Sequence, residues 1–157
     1  SSSAASDVYK RQGDTKLAVQ TGQVSFAFDG REVYVPANAS CVSQLGRGPT
    51  PPMFDSISDR KRDHIMDLHE AGSQQGKGGA LWEFGTLKSA LDFTEREDAL
   101  PLFAMMTDPV LDWDLRSRIY DRLEDTFHRP PGVTKAGILG GDEEMRSDWL
   151  VEFKRYW

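Results

Sequence analysis

The apolar residues of this chain change period once, across residues 46–52 (GRGPTPP), and that change restricts the fold more than any other feature. Before it, Val24, Phe26 and Phe28 alternate with Ser25 and Ala27, and Val33 and Val35 resume the alternation after Asp29-Gly30. A period of two places apolar side chains on one face of a strand. Asp-Gly between two such runs supplies a pair of residues that tolerate positive φ, which a tight hairpin turn needs. Leu17 and Val19 predict a strand ahead of the hairpin, and residues 41–45 a strand after it. Pro36-Ala37-Asn38 reads as the turn between the last two strands, with Asn38 in the left-handed conformation.

After residue 52 the period becomes helical. Ser56 with Asp59 has the form of a capping box, Ile65 and Leu68 face inward, and Gly72 stands where a C-cap is expected. Residues 72–79 (GSQQGKGG) form a flexible connection rather than a phosphate-binding loop, because Lys77 is followed by Gly instead of Ser or Thr. Leu81, Phe84, Leu87 and Leu91 stripe a further helix. Thr94 and Glu97 suggest another cap. Pro101 is cheap only in a first turn, so the helix carrying Leu100, Phe103 and Met106 begins near Asp98. Asp108-Pro109 breaks the chain, and Asp112 or Asp114 caps a helix striped by Leu115, Ile119 and Leu123. Residues 128–132 (HRPPG) end it, and Asp142 opens a last helix with Met145, Trp149 and Phe153 on its apolar face.

The fold class expected is α+β, a short antiparallel β-roll or hairpin segment followed by a mainly helical region. Residues 13–46 form the strand segment, 47–56 a Pro/Gly linker and 57–157 the helical part. Residues 1–12 are set aside as a disordered start, because Asp7-Val8-Tyr9-Lys10-Arg11-Gln12 resembles the in-frame translation of a transposase adapter used in making sequencing libraries. Trp149, Phe153 and Trp157 share one helical face on which the chain stops, so the far end is expected to be cut as well.

Two stretches resemble known families. A strand, then Thr21-Gly22-Gln23-Val24, a hairpin, Val33-Tyr34-Val35-Pro36-Ala37-Asn38 and a Gly- and Pro-rich exit resemble the closing segment of a FecR-type domain. Asn38 stands where that family has Gly, and Asn is the residue next best suited to positive φ. Ala99-Leu100-Pro101-Leu102-Phe103, followed by Thr107-Asp108-Pro109 and Leu115-Arg116, resembles a HEAT-type helical hairpin. Together the resemblances imply a bacterial envelope regulator that speaks to a sigma factor through an upstream membrane helix, with an envelope or periplasmic location. Without the FecR-type likeness the location expected is cytoplasmic.

Composition narrows the remaining classes. The chain has a net charge of −6, most of it beyond residue 57, so its surface repels phosphate backbones and nucleic acid is not expected as a partner. No apolar stretch is long enough to span a bilayer. Cys41 is the single cysteine, which excludes an internal disulfide and reads as a small buried hydrophobe. His64, Asp67, His69 and Glu70 invite a metal reading with His128 as a distant ligand. His64 and His69 are separated by about 140° around a helix axis, whereas helical zinc pairs share a face. A solvated helix side is therefore preferred, and no metal, cofactor or catalytic residue is assigned. Trp82, Trp113, Trp149 and Trp157 read mainly as core, with a partner surface a closer alternative for Trp113, at a turn. The function expected is a non-enzymatic regulatory or scaffold fragment acting by protein–protein contact. The alternatives are part of a hydrolase or metal enzyme, or an uncharacterised phage or accessory protein.

Overall fold

The computed structural model describes residues 5–11, 14–28, 31–44, 48–73 and 95–157, and shows an α+β chain. Strands β1 (Ala5–Arg11), β2 (Asp14–Thr21), β5 (Ala39–Gln44) and β6 (Gly48–Pro49) form an antiparallel sheet in the order β1-β2-β5-β6, and β7 (Met53–Phe54) also pairs with β5. Strands β3 (Gln23–Phe28) and β4 (Arg31–Pro36) make a separate hairpin. Its register runs from Gln23↔Pro36 to Phe28↔Arg31, around the predicted Asp29-Gly30 turn, which lies outside the described residues.

Period-two patterning fixes which face of the sheet is buried. Leu17 lies opposite Cys41 and Val19 opposite Ala39, and all four are buried. Shifting either strand by one residue would turn these side chains to solvent. Asn38 has φ 63°, the left-handed conformation expected of it, and its N–H donates to the Val19 carbonyl at 2.8 Å while its own carbonyl accepts from Asp55 N at 2.8 Å. This corner sends the chain from the hairpin into the main sheet.

Two sequence-based expectations change here. Ala5–Arg11, expected as a disordered tail, is a strand paired antiparallel with β2. The outer edge of β2 carries backbone groups that need partners, and β1 supplies them. The expected linker 47–56 carries β6 and β7, and Pro49, Thr50, Pro51, Pro52 and Met53 are buried. Thr50 N–H donates to the Val42 carbonyl at 2.7 Å, and Val42 N–H donates to Thr50 Oγ1 at 3.0 Å. Proline lacks only the donor, so a sheet edge accepts it.

The helices are α1 (Asp59–Ser73), α2 (Ala99–Met106), α3 (Trp113–Thr126), α4 (Lys135–Leu139) and α5 (Glu143–Lys154), with a 3-10 turn at Arg96–Asp98. Ser58, rather than Ser56, caps α1 by accepting from Lys61 N–H at 3.2 Å. Gly72 lies inside α1 and is buried, and its carbonyl accepts from Asp112 N–H at 3.2 Å. Asp98 accepts from Glu95 N–H at 2.9 Å, three residues apart; the expected Thr94 partner lies outside the described residues. Asp112, not Asp114, caps α3, and Asp142 caps α5. Such caps stabilise a helix by about 1 kcal/mol each. The short helix α4 had no signal in apolar periodicity. The predicted helix through Leu81, Phe84, Leu87 and Leu91 lies outside the described residues, as does Trp82.

Helices α2 and α3 pack against each other around the Thr107-Asp108-Pro109 turn, and α5 closes their open side. Trp149 is the centre of that packing, with its ring 5.4 Å from Tyr120 and 5.5 Å from Phe153, and Phe103 6.2 Å away on edge. Leu100, although on α2, packs with Leu17, Val19, Val35, Ala39 and Cys41. Trp157 continues the join by stacking on Phe153 at 5.6 Å and on Tyr34 at 6.0 Å. The sheet and the helices therefore share an apolar boundary.

At the start of α2, Asp98 is buried and receives Lys61 Nζ at 3.0 and 3.1 Å, which ties α1 to α2. Replacing Lys61 by Met should destabilise the chain by about 2–3 kcal/mol in urea unfolding, more than Asp98→Asn does, since it leaves a buried carboxylate without its cation. At the β4–β5 corner, Asn38→Gly should be tolerated within a few tenths of a kcal/mol, whereas Asn38→Val should cost about 1–2 kcal/mol in the same assay.

Candidate functional site

A cleft of about 190 Å³ opens between the hairpin, the Pro-rich edge of the sheet and the helices. Val33, Pro49, Pro51, Ala104, Met105 and Leu139 supply its apolar wall, and Glu32, His69, Asp108, Arg116, Glu143 and Arg146 its polar groups. It lies where the two halves of the chain meet. That is a usual place for a binding site, because neither half alone can enclose one.

Arg116 is the most constrained polar group of the cleft. It is 5% exposed, its Nε–H donates to the Met106 carbonyl at 2.8 Å, and its Nη2–H donates to the Leu139 carbonyl at 2.8 Å. Met106 is the last residue of α2 and Leu139 the last of α4, so both acceptors are helix-terminal carbonyls with no partner of their own helix. The negative ends of two helices thus face one guanidinium. Burial lowers the Arg116 pKa and the neighbouring Asp108 charge raises it, and a guanidinium stays protonated through either shift. Of its five N–H donors, two are committed, and Nη1 makes no hydrogen bond among the described residues.

Arg146 reaches across the cleft. Its Nη2–H donates to the Glu32 carbonyl at 2.8 Å, and its Nη1 stands 3.8 Å from the Glu32 carboxylate. This pair joins α5 to the hairpin. Glu143, in the first turn of α5, is exposed and makes no ion pair among the described residues.

The residues singled out from sequence distribute unevenly. His69 lines the cleft, while His64 lies a turn and a half earlier on α1 and does not line it, and His128 is exposed beyond α3. Asp67 and Glu70 are exposed on α1. Among the described residues no group of three or more His, Cys, Asp and Glu side chains is placed to hold a metal ion. Cys41 is 3% exposed on the inner face of the sheet, and burial pushes its thiol up to about 11. A thiol in that state is protonated and inert at neutral pH. Among the described residues no helix is long and apolar enough to cross a membrane.

Trp113, the first residue of α3, is 56% exposed, and Val110, three residues earlier, is 58% exposed. Its ring lies 5.8 Å from the Arg116 guanidinium, so the indole is held on one side and open on the other. The Arg116, Arg146 and Glu143 cluster was missed from sequence. Arg116 sits inside an apolar helix stripe, beside Leu115 and between Asp112 and Ile119, and that charge in an apolar stripe was the signal. Comparison with protein-family descriptions, curated proteins and solved structures finds no match for this chain.

Because the folded state holds Cys41 protonated, it loses stability as pH rises from the ordinary thiol range toward about 11. Cys41→Ala should flatten part of that alkaline decline in thermal melts taken between pH 8 and pH 11. Thiol labelling of the native chain at pH 7.5 should be at least about a hundredfold slower than in urea, since it requires the sheet to open.

Proposed function

We propose that this chain is a non-enzymatic regulatory or scaffold module that works by contact with another protein. The observation that carries this reading is the exposure of Val110, in the turn after α2, and of Trp113, at the start of α3, both more than half exposed. A solvent-exposed tryptophan steadied by a guanidinium beneath it is a low-entropy anchor of the kind that dominates binding energy at protein interfaces. Pro109, next to Val110 in the chain, is exposed too. The inert state of Cys41 removes the chain's single thiol as a nucleophile.

The resemblance of residues 17–52 to a FecR-type domain supports an envelope-signalling setting, and the α2–α3 pair supports a HEAT-like helical hairpin beside it. In that setting the partner is a component of a sigma-factor signalling system. The test is co-purification of this chain with the product of a sigma-factor or membrane-regulator gene adjacent to its intact gene. The double substitution Val110→Ser, Trp113→Ala should weaken such a complex about thirtyfold or more while leaving the melting temperature within a few degrees. Undiminished binding by that variant would sink the Trp113 surface. An intact gene that encodes no membrane-spanning helix upstream would sink the envelope-signalling setting.

A further inference from the structure

The cleft between the sheet and the helices shares Arg116 with the Trp113 surface and adds chemistry of its own. Arg116 is a largely buried cation with Nη1 uncommitted among the described residues, and it lines the cleft. In a medium of low polarity such a group gains more from an anionic acceptor than it would in water. The cleft is not basic overall, however. Arg146 is matched by Glu32, Asp108 lies close enough to act on the Arg116 charge, and Glu143 adds a carboxylate with no ion-pair partner among the described residues. A phosphate or other multiply charged anion would share the cleft with these carboxylates and be repelled. A ligand carrying one negative and one positive group meets a smaller penalty, because its cation offsets part of that repulsion and its single negative charge is matched by Arg116. At about 190 Å³ the cleft is somewhat larger than a cavity that holds benzene, so the ligand has on the order of ten non-hydrogen atoms.

We propose that the cleft binds a small zwitterion, an amino acid with a short aliphatic side chain. Its carboxylate is received by Nη1 of Arg116, its ammonium faces Glu143, and its side chain rests on Pro49, Pro51 and Met105. The carboxylate completes the shell of a guanidinium that two helix ends already hold in place, so the anion site is preorganised. The ammonium site is at the exposed first turn of α5 and contributes less.

The test is calorimetric titration of the 157-residue chain with L-leucine, 4-methylpentanoate and 3-methylbutylamine, which share the apolar body and differ in charge. L-leucine should bind most tightly, 4-methylpentanoate about two- to fivefold more weakly, and the amine not measurably. Glu143→Gln, on an exposed position, should bring L-leucine down to the affinity of 4-methylpentanoate and leave the latter unweakened. Arg116→Lys should weaken both carboxylates by about tenfold or more, because one point charge replaces the planar fork. Should Arg116→Lys fail to fold, the three ligands and Glu143→Gln still decide the matter. No heat and no ligand-detected NMR signal with L-leucine at about 10 mM, or binding of the amine as tight as that of L-leucine, would overturn the proposal. So would equal affinity of L-leucine and 4-methylpentanoate for the unsubstituted chain.

Discussion

A single buried guanidinium joins three helices of this protein at one point. Arg116 leaves α3 and bonds the terminal carbonyls of α2 and α4, two groups that a helix end cannot satisfy internally. Each hydrogen bond to a charged group in a dry setting contributes about 1.5–3 kcal/mol, and leaving the carbonyls unmet would cost on a similar scale. Three helices are thereby fixed at one point. The same guanidinium lines the cleft and lies 5.8 Å from the Trp113 ring. A leucine at this position would pack well against the same neighbours, yet it would orphan both carbonyls.

The aromatic packing around Trp149 completes what Arg116 begins. Phe103, Tyr120, Phe127 and Phe153 meet at edge-on or stacked distances, and Trp157 carries the series across to Tyr34 and Phe54 on the sheet side. The indole N–H of Trp149 has no acceptor within the described residues, so its stabilisation comes from contact area rather than from hydrogen bonding. Trp157 differs in that its Nε1–H donates to the Arg96 carbonyl at 3.0 Å, which pins the final residue to the start of α2. Together with the Arg146–Glu32 contact this closes the space between sheet and helices, except where the cleft is left.

Much of the architecture was legible in residue order because its causes are local. The strand faces followed from period two, the positive φ of Asn38 from its tolerance of the left-handed conformation, and the starts of α3 and α5 from aspartates three residues ahead of free N–H groups. The linker reading went astray for an equally physical reason. Prolines and glycines in residues 46–52 announce a bend, but whether a bent segment stays in solvent depends on a wall to lie against. Here β5 offers that wall. The pairing of Ala5–Arg11 depends on the open edge of β2, which no local signal in those residues announces. Helix α4 is too short to show a period.

The sequence by itself determined the α+β class, the change of regime near residue 50, the faces of the main strands and helices, and the burial of Cys41, Trp149 and Phe153. Each of these depends on neighbours within a few positions, where backbone geometry converts spacing directly into direction. Only the tertiary structure decided that Leu100 belongs to the sheet core, that the expected linker is part of the sheet, and that Arg116, Arg146 and Glu143 line one cleft with Glu32. Those residues are brought together by chain reversals whose angles depend on the packing of every intervening element. Apolar spacing carries no record of such angles, and a buried arginine in an apolar stripe announces that a partner exists without saying where in the chain it lies.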